Sequence, residues 1–363
     1  MDRIPLWPLA RKVEGPTRLP LAIWIVLPLL ALLVIGVVLL LVNRPAAVLW
    51  AYPTLDTPLG PLIAVDGMAF TATRDGTVYA LNVADGQPLW RSPLHASTIT
   101  SPAVFYGMVF IASTTGEVAA LQLTTGEAVW RASAGSPVTG ITVAQSLLIA
   151  ATDHGRLLAL DPLTGQTLWE TRFPQGLGQP LVAPPHLLVG DAAGRLHCLT
   201  LAQGELIWSV SLVGAVQTGA AVTNQSVAVA TSASRAYLLD RSQGKVLWTR
   251  RLPAPPVSAP FTVGDWVIFP AGSSLLAYDL ATGARRWRQR LGGLITCPPL
   301  PSGGYLLVGN SRGRVYQVST TDGRKSRLAL RAASPVAALG EDDDRLLVGD
   351  WRGLLLCVLR PRQ

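Results

Sequence analysis

The 363-residue sequence predicts an all-β fold, an eight-bladed β-propeller preceded by one transmembrane helix, on three observations. A unit of glycine, apolar strand, second turn glycine and a tryptophan four residues later recurs every 39 or 40 residues, with second glycines at Gly86, Gly126, Gly165, Gly204, Gly244, Gly283 and Gly323. Charged residues are only 14% of the chain while Gly (34) and Pro (28) abound, which suits short strands joined by turns rather than salt-bridged helices. A run of 24 uncharged residues, Leu19 to Val42, precedes the first repeat.

Each unit divides into four strands. Between Ser101 and Trp130 the apolar runs "PAVFY", "MVFIAS", "EVAALQL" and "EAVWRA" are separated by turns at Gly107, Gly116 and Gly126. Glycine takes the positive φ that tight hairpins require. A lone four-stranded sheet leaves a face uncovered, so such units are expected to range around an axis and bury their faces against neighbours. The chain ends set the count. After Arg327, which stands where a tryptophan is expected, the sequence supplies three more strands, and Trp50 lies 40 residues before Trp90 in the repeat register. The N-terminal strand around Trp50 should therefore join the three C-terminal strands and close an eighth blade. The tryptophans are expected to dock on the Gly and Ala backbone of an adjacent blade rather than stack on a ligand.

Residues 1–18 are expected to form a cytoplasmic tail, 19–42 a membrane helix and 46–363 the propeller. As a helix, the 24-residue run spans roughly 36 Å against a hydrocarbon core of about 30 Å. It is longer than the apolar core of a signal peptide and lacks a small-x-small cleavage site. Arg3, Arg11, Lys12 and Arg18 precede it and only Arg44 closely follows, so the N-terminus should lie inside and the propeller outside the cytoplasmic membrane. The net charge of +8 is spread over the chain without a dense basic and aromatic stripe, which argues against a nucleic-acid partner. Cys198, Cys297 and Cys357 fit neither a disulfide framework nor a metal-ligand spacing.

Ala277, Asp279, Thr282, Gly283 and Trp287, and nearly as fully Ala159, Asp161, Thr164, Gly165 and Trp169, form the pattern Ala-x-Asp-x-x-Thr-Gly-x-x-x-Trp. This resembles the tryptophan-docking motif of PQQ-like repeats, over about residues 46 to 360. The resemblance implies the eight-bladed quinoprotein-type ring. It also implies one of two branches: dehydrogenases holding pyrroloquinoline quinone and Ca²⁺ on the axis, or non-catalytic propellers similar to BamB. The dehydrogenase branch calls for converging cations and oxygen ligands and, in the alcohol dehydrogenases, adjacent cysteines. The sequence has no adjacent cysteines and no long inter-blade insertion, and its aspartates Asp75, Asp85, Asp153, Asp161, Asp240 and Asp279 fall at turn positions.

Loops entering the innermost strands, at Thr100, Thr139, Gly178, Thr218, Ser258, Thr296 and Ser334, should ring the central channel with small residues, Cys297 among them. The acidic run Glu341 to Asp344 is expected to be a solvated hairpin tip. A basic sector, Arg285, Arg286, Arg288, Arg290, Arg312 and Arg314, is the candidate partner-binding surface. The resulting expectation is a monomeric, membrane-anchored propeller outside the cytoplasm, binding proteins or envelope components, with no catalytic residue, metal or cofactor. The alternatives are a quinone-dependent oxidoreductase and a receptor for a small ligand or glycan.

Overall fold

The computed structural model describes residues 47–94, 97, 102–144 and 146–359. The expected tail and membrane helix, residues 1–18 and 19–42, lie outside the described residues. The described chain contains eight four-stranded antiparallel sheets. Seven are continuous in sequence; blade 2, for example, runs Ala103–Phe105, Met108–Ala112, Glu117–Gln122 and Ala128–Ser133. Those strands fall on the four apolar runs read from the sequence.

The eighth blade is assembled from both ends of the propeller. Val336–Asp342, Arg345–Asp350 and Leu354–Leu359 pair in order, and Val48–Pro53 completes the sheet. Trp50 stands opposite Cys357 in that pairing. The Thr54 hydroxyl adds a hydrogen bond to the Gly353 carbonyl at 2.7 Å. Closure thus rests on a full antiparallel ladder rather than on a few loop contacts.

The second and third strands of each blade are buried on both faces, as in Phe70 to Thr73 and Val78 to Leu81. Their near-continuous Val, Ile, Leu and Ala runs follow from having a neighbouring blade on each side. Outer strands show more water, and residues alternate between half-buried and exposed along Thr167–Arg172.

The tryptophan is the joint between blades. Trp130 covers Gly165 of the next blade, where an added Cβ would sit 2.6 Å from the indole, and its Nε1 donates to the Pro162 carbonyl at 2.8 Å. The same pairing joins Trp50 to Gly86, Trp90 to Gly126, Trp169 to Gly204, Trp208 to Gly244, Trp248 to Gly283 and Trp287 to Gly323. Each indole N–H finds a carbonyl in the covered turn, for instance Trp90 to Leu123 and Trp248 to Leu280. The positive φ of these glycines admits a tight turn, and their missing side chain admits the ring.

Arg327 breaks the pattern for a topological reason. The blade it faces takes its third and fourth strands from opposite ends of the chain, so no turn with a second glycine joins them. The register changes accordingly: Gln317 pairs with Ser326, Tyr316 with Arg327, and the ladder shifts before Arg314 pairs with Arg331. Leu328 and Leu330 are the residues turned inward, packing with Val348, Leu356 and Val358 of the closing blade. Two leucines replace the tryptophan.

Candidate functional site

The innermost strands surround an axial cavity of about 510 Å³ to which every blade contributes, including Pro61, Pro102, Ile141, Gln179, Thr218 and Ser258. Among the described residues, its lining holds no Asp, Glu, Lys or Arg. The rim is shaped by close approach. A Cβ on Gly178 would meet the Gln217 backbone of the next blade, with the carbonyl oxygen 2.6 Å away. Gln179 donates its side-chain amide to the Ile141 carbonyl at 3.0 Å, and Thr296 donates to the Val336 carbonyl at 2.6 Å. Cys297 is buried, and burial pushes its thiol up to about 12. Of the rim positions anticipated from the sequence, Thr218 and Ser258 line the cavity, while Thr139 donates to the Ala151 carbonyl.

This donor set does not fit a quinone bearing three carboxylates, which needs converging cations. Nor does it supply the six to eight oxygens, carboxylates among them, that Ca²⁺ takes. The aspartates on the blade turns are occupied: Asp161 accepts from the N–H groups of Leu163 and Thr164, and Asp240 from those of Ser242 and Gln243. Among the described residues, no group of three or more His, Cys, Asp or Glu side chains could hold a metal ion.

The six arginines of the basic sector do not share one surface. Arg285 and Arg288 line a cleft between blades 5 and 6 together with Arg251. Arg286 turns away, pairing with Asp279 at 2.7 Å and lying over the Trp266 ring. That ion pair and the N–H of Thr282 hold the Asp279 carboxyl down at about 2, the Thr282 backbone bond being the larger cause. Arg290 ends the outer strand of blade 6, and its carbonyl accepts from Lys325 at 2.5 Å. Arg312 and Arg314 belong to the next blade, where the Asn310 side chain accepts both of their backbone N–H groups.

The family described as outer membrane protein assembly factor BamB matches the sequence in three overlapping stretches, residues 36–178, 114–200 and 192–357. The chain belongs to that family. BamB from Moraxella catarrhalis is similar in structure, with a TM-score of 0.73 and 18% identity over 86% of this chain and 99% of that one. A computationally designed protein, Ika8, gives 0.77 at 18% identity, covering 87% of this chain and 99% of its own. Sqt1 of Saccharomyces cerevisiae gives 0.77 at 10% identity, covering 88% and 100%. A designed ring and a yeast protein fit as well as a bacterial BamB, so at these identities the likeness describes the fold alone. No curated protein matches the sequence significantly.

Within this BamB-family ring, one recurrent feature escaped the sequence reading. At the end of the second strand of most blades, or one residue beyond it, a buried polar residue caps the following turn. Ser113, Thr152, Asp191, Asn310 and Asp350 each accept, through the side chain, the N–H four residues on. Because the residue type varies among Ser, Thr, Asp and Asn, the position looks unpatterned in the sequence. Asp191 also meets the buried His197 at 3.3 Å, and burial lowers the histidine below its ordinary value. These buried carboxylates serve turns and lie away from the axial cavity.

Proposed function

We propose that this chain is a non-catalytic propeller, anchored outside the cytoplasmic membrane by residues 19–42, that binds proteins or other envelope components. The observation that carries the reading is the axial cavity, whose described lining offers neither the cations nor the carboxylates that quinone chemistry requires. Family membership supports it too, because the family description names an assembly factor and so points to protein partners. The uncharged run from Leu19 to Val42, with its cationic N-terminal flank, supports the anchor and its orientation.

Crosslinking in intact membranes followed by purification of the full chain tests the binding role. A reproducible protein partner is the expected result. Saturating binding of a glycan with no protein partner would instead favour the receptor alternative. Incubation with pyrroloquinoline quinone and Ca²⁺ is expected to leave no bound chromophore and no alcohol-dependent dye reduction; either one would overturn the non-catalytic assignment. Protease added to spheroplasts should digest the propeller and spare residues 1–18, whereas protection of the propeller would reverse the proposed orientation.

A further inference from the structure

The cleft between the outer edges of blades 5 and 6 has a volume of about 440 Å³. Its floor is apolar, from Leu252 and Leu276, which are buried in the core shared by the two blades. Its rim carries Arg251, Arg285 and Arg288 with Ser234, and among the described residues no carboxylate lines it. Arg251 closes the outer strand of blade 5, while Arg285 and Arg288 lie on that of blade 6, opposite Tyr278 and Leu276. Three arginines drawn from two blades therefore line one concavity.

Equivalent positions in blades 2 and 3 show what is missing here. In blade 2 the fourth residue of the outer strand, Arg131, pairs at 2.5 Å with Glu117, the first residue of the third strand. In blade 3 Arg156 and Arg172 share Glu170 at 2.9 and 2.7 Å. In blade 6 the residues at the positions of Glu117 and Arg131 are Ser274 and Arg288. The Ser274 hydroxyl lies 3.4 Å from two nitrogens of Arg288 and brings no charge. Clustered like charges repel when no counter-charge lies between them. In blades 2 and 3 the fold supplies that counter-charge; beside Arg288 it supplies only a hydroxyl.

We propose that the Arg251, Arg285 and Arg288 cleft is a binding site for a phosphate group. Arginine is suited to this role because its planar fork meets two phosphate oxygens at once. The inference does not rest on the scaffold reading, since such a site would exist whatever the ring binds elsewhere. A phosphate could reach the cleft as a free anion or as a phospholipid headgroup, and the recognition chemistry is the same for both.

The test is thermal unfolding of the full-length protein with increasing inorganic phosphate, against sodium chloride of equal ionic strength. A parallel arm uses dihexanoylphosphatidylglycerol below its micellar concentration. A ligand that binds only the folded state raises Tm in proportion to occupancy. A saturating rise with inorganic phosphate, weakened about tenfold in half-saturation by each of R251Q and R285Q, is the expected result. The substituted side chains are exposed, so both variants should fold, and R312Q on the neighbouring blade should respond like the unaltered protein. Saturation by the phosphatidylglycerol alone, with the same loss in the variants, supports the site and assigns it to a headgroup. Failure of both ligands to exceed the chloride control, or an unchanged response in R251Q and R285Q, overturns the proposal.

Discussion

Trp50 and Cys357 stand directly opposite one another in antiparallel register, one near the start of the described chain and the other near its end. The pairing makes the first strand part of the last blade, so each end of the propeller holds the other in place. Trp50 also reaches forward, donating its Nε1 hydrogen to the Val83 carbonyl at 2.8 Å and covering Gly86. One side chain therefore links the closing blade to the first.

Replacing Trp50 by Ala should destabilise the ring by about 3–5 kcal/mol, the range for removing a large buried aromatic. Trp90→Ala should cost a similar amount, because Trp90 is equally buried, at 9% exposure, and makes the equivalent contacts to Gly126 and Leu123. Urea unfolding measures both. A loss below about 1 kcal/mol would mean that the indoles are not the joints between blades.

Two glycines with nearly the same backbone separate conformational strain from crowding. Gly126 (φ +72°) lies beneath the Trp90 ring, whereas a Cβ at Gly107 (φ +68°) would meet nothing within 4 Å. Gly107→Ala should cost about 1–2 kcal/mol from the left-handed conformation alone. Gly126→Ala should cost a further 1–3 kcal/mol or so, because the indole must move. Equal losses in chemical denaturation would rule out the crowding contribution.

The three cysteines should resist modification in the native state. All are buried, and burial pushes the thiols of Cys198 and Cys357 up to about 11 and that of Cys297 up to about 12. The reactive thiolate is therefore scarce at neutral pH. Titration with a disulfide reagent should find no reactive thiol until urea unfolds the ring. Rapid reaction under native conditions would contradict the placement of at least one of them.

Acidification should weaken the fold through His197. Burial lowers its folded-state value below about 6.5, the ordinary value expected in the unfolded chain, so below that pH the unfolded state binds more protons. Stability is then fully present above the unfolded value and declines as pH falls toward the folded one. His186, also lowered by burial, adds to the same slope. The urea midpoint should drop between pH 7 and pH 5, and His197→Gln should flatten that drop. An identical pH dependence in the variant would remove His197 from the account.

The repeat spacing and the positions of Trp50, Gly126 and Arg327 were enough to determine the ring, its eight blades and its clasp. Glycine at a fixed turn and tryptophan four residues later have one economical use, a bare backbone covered by an indole, and that use leaves a period in the sequence. The chain ends then count the blades, because a strand without partners at one terminus fits three without a fourth at the other. What Arg327 does in place of tryptophan was not legible, since the register shift that turns Leu328 and Leu330 inward depends on the neighbouring blade having no turn to cover. The turn caps at Asp191 and Asp350 were equally hidden, because several polar residue types satisfy the same N–H. Only the tertiary structure divided the arginine sector. A sequence places Arg285, Arg286 and Arg288 side by side, but alternation along a strand, a bulge and the facing blade decide which guanidinium meets Asp279 and which of these residues line a cleft with Arg251.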